Sequence, residues 1–529
     1  MRKSLATFLV AVAAILQFVA FPSNVGADQW VPKTDFNQNV LGVNIVNSMF
    51  NHGEGTSFLS ALSGLVTYAP GSTASEPNET LCSGLTSTGP CNFASPDVGN
   101  YGIILLPVCT SSTQTNCVSS MALGTSASAM QPGTFVSMTS GPTIDADPAH
   151  GLPAGSTIGL WTDPVTNAGG TNTYASYAAL HVGYSKATNR YKINSFSAVI
   201  LPYKIGSGNY EAPKMVQYTD PSSGITYVGT SGQNPSCAWT GPGECGVLQD
   251  FTAGTYVSMG VRLSTEIGGW FQGRMQNPSL SVSSFDSQSN LITVTGQSVD
   301  VPVLSVSVPI SDASAAIKAV YKGELGPITG VTGFDANSSY AFKAVDGFRD
   351  AASNTSTAVI NIWSFGSYSA LGNACLTNTS AILGVVTTNS MVFNPTVPTF
   401  NNGSLSYSVA GMHFMPDGVT PVQGTYDMVM ADSVARCLYR FSNAPISATI
   451  SVSESSAGEK NVATTSVSDE GGWLHLAAYN FQFSNPTITA KLTQAAPAKK
   501  ATITCVKGKL IKKVTGTSAT CPSGYALKK

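Results

Sequence analysis

The chain holds five histidines in 529 residues: His52, His150, His181, His413 and His475. No two stand four apart, so the His-x-x-x-His spacing that grips zinc from one helix face is absent. No Gly-x-Ser-x-Gly turn presents a serine nucleophile, and no Gly-x-x-x-x-Gly-Lys loop could cradle a phosphate. His475 alternates with apolar neighbours on an expected strand, and His413 stands near Asp417 in an expected turn. Both read as satisfied structural residues rather than bases. Sugar hydrolysis needs only two carboxylates across a cleft, and Glu211, Glu244, Glu266 and Asp250 are the central candidates, with surface charge as the competing reading. Asp145-Ala-Asp147 could aim two oxygens at one calcium ion, but the Gly and distal Glu of an EF-hand loop are missing. Of the six tryptophans, Trp363 and Trp473 lie in alternating apolar runs and belong in a core. Trp239 stands between Cys237 and Cys245 beside Gly and Pro, and is the candidate for an exposed platform under a sugar ring. These counts predict no catalytic residue, no metal and no cofactor.

The ten cysteines carry the clearest chemistry. There is no Cys-x-x-Cys and no His beside a cysteine pair, which argues against zinc. An even number fits disulfides in an oxidising compartment. Short loops close at low entropic cost, so neighbours are the default partners: Cys82 with Cys91, Cys109 with Cys117, Cys237 with Cys245, and Cys505 with Cys521. Cys375 and Cys437 are left for a longer bridge, although spacing alone does not determine connectivity.

An oxidising compartment agrees with the first residues. Arg2 and Lys3 precede an apolar run from Leu5 to Phe21, Pro22 breaks it, and Val25-Gly26-Ala27 offers small residues for cleavage before Asp28. The expectation is a signal peptide over 1–27 and a secreted or cell-surface protein. Charged residues make up only 10% of the chain while hydrophobic ones reach 43%, which excludes a disordered polyelectrolyte and suits β-domains rich in Thr, Val, Ser and Gly. The charge is unevenly placed. Residues 496–529 hold Lys499, Lys500, Lys507, Lys509, Lys512, Lys513, Lys528 and Lys529 and no acid. Setting those eight aside with Arg2 and Lys3 leaves 16 basic residues against 28 acids, a body of formal charge −12 with a +8 tail. Such asymmetry concerns interactions more than folding.

The elements that position these residues read as mainly β: several β-sandwich domains, stapled by disulfides, with a small helical insert. A β-rich segment spans 28–154. Ser195–Leu201, Thr255–Leu263, Leu291–Thr295 and Val301–Val308 alternate as half-buried strands of a sandwich-like unit over 155–310. The region 311–403 is mixed, with helices expected over Asp312–Lys322, capped by Asp312, and over Ser338–Ala352, then strands at Ala358–Phe365 and Ala381–Val386. Seven runs over 404–494 suit an immunoglobulin-like sandwich: Ser404–Val409, Gly424–Met430, Cys437–Phe441, Ile446–Val452, Asn461–Val467, Trp473–Phe483 and Thr487–Leu492. Ala495–Ala498 reads as a linker, and Thr502–Val506 and Leu510–Val514 read as a hairpin turning at Gly508.

Three stretches, Cys437–Ile446, Ser466–Trp473 and Phe483–Thr489, resemble a C-terminal module of uncharacterised secreted proteins of actinobacteria. The tail, Thr502-Ile-Thr-Cys-Val-Lys-Gly-Lys509 followed by Cys521-Pro-Ser-Gly-Tyr525, is similar to a short ending found on many such exported proteins, with Ala526-Leu527 standing where further lysines are expected. The resemblance implies secretion and a bacterial envelope setting and brings no assigned activity. The expected function is a non-enzymatic binding or structural role at the envelope. The eight lysines would meet an anionic cell-envelope polymer or lipid surface. The alternatives are a secreted carbohydrate-active or sugar-binding protein and a surface-layer subunit. Carbohydrate is a second candidate partner, and no feature points to nucleic acid.

Overall fold

Fifteen strands share one sheet at the centre of the molecule. The structure, a computed structural model, describes residues 39–46, 62–68, 78–93, 99–221, 224–234, 236–321, 330–336, 338–368, 373–378, 381–394, 396–442, 446–453, 464–483, 486–494, 501–516 and 519–528. The export-signal reading of 1–27, Trp30, His52, the 495–498 linker, Lys499, Lys500 and Lys529 lie outside them.

From one edge the sheet runs Thr464–Glu470, Trp473–Gln482, Gln423–Ala431, Ile382–Thr388, Gly269–Arg274, Ser364–Tyr368, Arg190–Ser207, Thr173–Ser185, Gly99–Leu105, Gly64–Tyr68 and Glu79–Cys82. Glu244–Leu248 with Cys237–Gly241 branches from the Arg190 strand, and Gly159–Thr162 with Thr134–Met138 branches from the Thr173 strand. All pairs are antiparallel except Gly269–Arg274 with Ile382–Thr388. There the strands approach closely at Gly384, where an added Cβ would lie 2.2 Å from the Val429 carbonyl oxygen and 2.6 Å from the Trp270 ring.

The sheet is covered on both faces. One face meets a four-stranded sheet (Gly330–Asp335, Val40–Val46, Val299–Pro309, Ala358–Ile362), helices α1 (Ala315–Val320) and α2 (Ser339–Phe348), and a five-stranded sheet that contains Ser404–Ala410, Thr487–Gln494 and Ile446–Ser453. The other face meets the five-stranded sheet Gln276–Ser284, Ser289–Gln297, Tyr256–Ser264, Cys117–Gly124 and Met130–Pro132. The central strands therefore bury both sides. In Thr173–Ser185, Ala175, Tyr177 and Ala179 enter one core while Tyr174, Ala178 and Leu180 enter the other. This corrects the expectation for Ser195–Leu201: it is buried on both faces from Phe196 on. The expectation does hold for Tyr256–Ser264 and Ser289–Gln297, which alternate as half-buried strands do.

The fold is mainly β, with several sheets, three helices among the described residues and five disulfides. All five bridges join the cysteines paired by spacing, including Cys375–Cys437 with a Cα–Cα distance of 5.8 Å. The segments 28–154, 155–310, 311–403 and 404–494 each contribute strands to the fifteen-stranded sheet, so backbone hydrogen bonds cross every one of those cuts. Within 404–494 six of the seven expected strands form and face one another in two sheets, but one of those sheets continues through the pairing of Gln423–Ala431 with Ile382–Thr388.

Three local expectations are corrected. Cys437–Phe441 is no strand, because Cys437 lies in helix α3 (Asp432–Tyr439), whose Val434, Ala435 and Leu438 are buried at helical spacing. Asp312 does not cap α1. Ser314 does, its side chain accepting from the Ile317 amide. The single run expected over Ala358–Phe365 divides at Trp363. Its first half joins the four-stranded sheet and its second joins the large one.

Candidate functional site

The basic tail forms its own small unit. Ala501–Lys507 pairs with Leu510–Gly516 in register, Lys507 opposite Leu510, and a third short strand, Ala526–Leu527, adds to the open edge of the first. Gly508 has φ +61°, so it takes the first central position of a tight two-residue turn that a side chain would strain. Cys505 is wholly buried and bonded to Cys521, with Cα atoms 5.6 Å apart. The Lys528 amide donates to the Thr504 carbonyl at 2.7 Å and ties down the end. A unit this small has too little core to hold itself, and the bridge supplies what burial cannot.

Lys507, Lys509, Lys512, Lys513 and Lys528 are all exposed, and none makes an ion pair among the described residues. Four of them crowd the turn end. At the opposite end the Thr502 and Thr515 hydroxyls lie 2.7 Å apart. What this arrangement can do is electrostatic: it presents a concentrated positive field on a stapled frame.

Three of the histidines contact other residues of the chain. His475 Nε2 lies 2.7 Å from Asp427 Oδ1, and Asp427 is wholly buried. The Tyr479 hydroxyl donates to the same oxygen and the Asn277 amide donates to the other at 3.2 Å. Burial and the neighbouring carboxylate push the Tyr479 phenol well above its usual range, so it stays a donor. Sequence reasoning missed Asp427, although an acid inside the apolar run Gly424–Met430 was a visible sign of a buried partner. His413 Nδ1 lies 3.3 Å from the Phe483 carbonyl oxygen, while Asp417 accepts from the Val419 and Thr420 amides of its own turn. His150 contacts Asp147 at 2.7 Å, and that hydrogen bond holds the carboxyl below its ordinary range. His181 is partly exposed in the middle of its strand.

No group of three or more His, Cys, Asp or Glu that could hold a metal ion forms among the described residues, and Asp147 takes His150 as its partner. Trp239 is corrected. It is only 7% exposed, because its hairpin folds onto Arg190–Ser207 and sets the indole edge-on against Tyr203, ring centroids 5.7 Å apart. The side chain lines a groove with Leu105, Ile158, Gln233, Asn234 and Thr240. Trp363 is fully buried as expected, and Trp473 packs half-buried against the second core.

The four acids stay with separate partners. Glu211 faces Lys214 at 3.9 Å in solvent, Glu266 accepts from the Ile193 amide at 3.0 Å, and Glu244 is exposed beside a turn. Asp250 differs. Burial first, then the charge of Asp300, pushes its carboxyl up to about 6, while the Asn361 amide opposes this. The Asn361 side chain donates to Asp300 at 2.6 Å, so one asparagine bridges two carboxylates. The buried Arg274, which composition could not single out, donates to the carbonyls of Thr388 and Ser390 at 3.0 and 2.6 Å and lies 4.4 Å above the Phe393 ring. Burial pulls its guanidinium down to about 9. It stitches core strands together and reaches no solvent. No helix among the described residues is long and apolar enough to cross a membrane. Neither a known family model nor a curated protein matches this chain.

Proposed function

We propose that this is an exported binding or structural protein of the bacterial cell envelope, held at an anionic surface by its C-terminal hairpin. The observation that carries the reading is the hairpin itself: five exposed lysines on a disulfide-closed frame, without ion pairs among the described residues. Two features support it. Five disulfides suit an oxidising compartment, and the formal −12 of the rest of the mature chain would otherwise be repelled by an anionic envelope. The hairpin supplies the attraction that the body lacks, and each lysine near an anionic surface contributes about 1 kcal/mol.

Deleting 496–529 tests this. Retention on isolated cell envelopes is expected to fall for the truncated protein and, for the full-length protein, to fall between low and high salt. Equal retention of the two at low salt would refute the tether.

A further inference from the structure

The exposed apolar side chains of the described residues are unevenly placed. Nine large ones stand in solvent, and three of them, Leu510, Ile511 and Leu527, lie in the short tail at 62%, 62% and 57% exposure. A tail that only solubilised the protein, or only met a hydrophilic polymer, would gain nothing from these residues. Exposed aliphatic surface is unfavourable in water unless something covers it.

Their positions coincide with the charge. Leu510 and Ile511 follow the turn directly, between Lys507 and Lys509 on one side and Lys512 and Lys513 on the other. The register sets Leu510 and Leu527 on the same face as Lys507 and Lys512, while Ile511 shares the other face with Lys513. Among the described residues the turn region thus carries apolar and cationic side chains together, while Thr502 and Thr515 set hydroxyls at the other end. Apolar tips ringed by lysine match a bilayer interface, where aliphatic groups sink to the acyl boundary and ammonium groups stay among anionic headgroups.

Resting on the envelope reading above, we infer that the hairpin's partner is an anionic lipid bilayer, entered turn-first by Leu510 and Ile511 with Leu527 at its flank. Charge complementarity chooses anionic lipid over neutral lipid, and the apolar tip chooses lipid over a wall polymer.

The test uses the full-length oxidised protein against phosphatidylglycerol–phosphatidylcholine vesicles, pure phosphatidylcholine vesicles and delipidated wall sacculi. The wild type is expected to sediment with the anionic vesicles and to bind neutral ones at least about tenfold more weakly. The double variant Leu510→Ser/Ile511→Ser is expected to lose more than about tenfold in affinity for anionic vesicles. Peptide mapping of the Cys505–Cys521 bridge checks that the variant hairpin is intact. A separate variant, Leu510→Trp, should then show blue-shifted emission only with anionic vesicles. Vesicle binding by the serine variant within twofold of wild type, no emission shift, or wild-type binding to sacculi alone would overturn the lipid partner and leave the tether standing. Binding to neither vesicles nor sacculi would remove the tether as well.

Discussion

At the scale of single residues, Asp250 is where the environment changes the chemistry most usefully. Its carboxyl sits under the Asn361 amide and near Asp300, and burial lifts it to about 6. A carboxyl raised on folding binds its proton more tightly in the native state. Its stabilising contribution is therefore complete below the unfolded value of about 4 and is lost as pH rises through about 6. The expected loss from this group is on the order of 1–2 kcal/mol after allowing for its partial exposure. Urea unfolding at several pH values should show that decline, and Asp250→Asn should flatten it and be the more stable protein near neutrality. A variant whose pH profile overlays that of the wild type would show that the carboxyl titrates alike in both states. Asp250 was visible in the sequence as an acid, but its partners were not. Asn361 and Asp300 reach it only because Val299–Pro309 and Ala358–Ile362 pair with Asp300 opposite Asn361. Asp427 teaches the same lesson, since its contacts come from His475 and Tyr479 on one strand, 48 and 52 residues away, and from Asn277, 150 residues away.

At the scale of elements, disulfides and hairpins were the most legible features because both are local. Four of the five bridges close loops of 8 to 16 residues. The fifth joins Cys375 to Cys437 in α3, across 62 residues. Loop entropy makes this long bridge the strongest constraint on the unfolded chain, about 4 kcal/mol against about 2.5 kcal/mol for a bridge such as Cys82–Cys91. Removing Cys375 and Cys437 together by serine substitution is expected to lower the denaturation midpoint more than removing Cys82 and Cys91. A smaller or equal loss would mean that α3 is held chiefly by the packing of Val434, Ala435 and Leu438. Helix α3 itself went unread because its apolar spacing begins before Cys437, while the stretch after it alternates like a strand. The helix ends at Arg440 in a left-handed conformation, φ +55°, which a non-glycine residue does not announce.

At the scale of the whole molecule, the shared sheet governs behaviour. Gln423–Ala431 takes hydrogen bonds from Ile382–Thr388 on one side and Trp473–Gln482 on the other. A fragment of residues 404–494 would expose the first of those edges along a buried, apolar strand whose pattern includes Tyr426, Met428 and Met430. Such a fragment is expected to aggregate or stay unfolded when expressed alone, because an open flat edge templates further pairing. Size-exclusion chromatography with amide NMR would check it. A monomeric, dispersed spectrum would show that the two-sheeted unit is self-sufficient.

The sequence by itself determined the class of fold, most strand positions and the separation of charge into an acidic body and a basic tail, and it made neighbouring cysteines the default disulfide partners without fixing their connectivity. Each depends on neighbours close along the chain: alternation every second residue, loops of a few residues, a run of lysines. Only the tertiary structure decided that strands from four segments would join one sheet, that Trp239 would be folded inward, and that Leu510, Ile511 and Leu527 would remain outside. Those outcomes depend on which surfaces meet across long stretches of chain. An isolated apolar residue carries the same sequence signal whether a partner strand covers it, as at Trp239, or nothing does, as at Ile511.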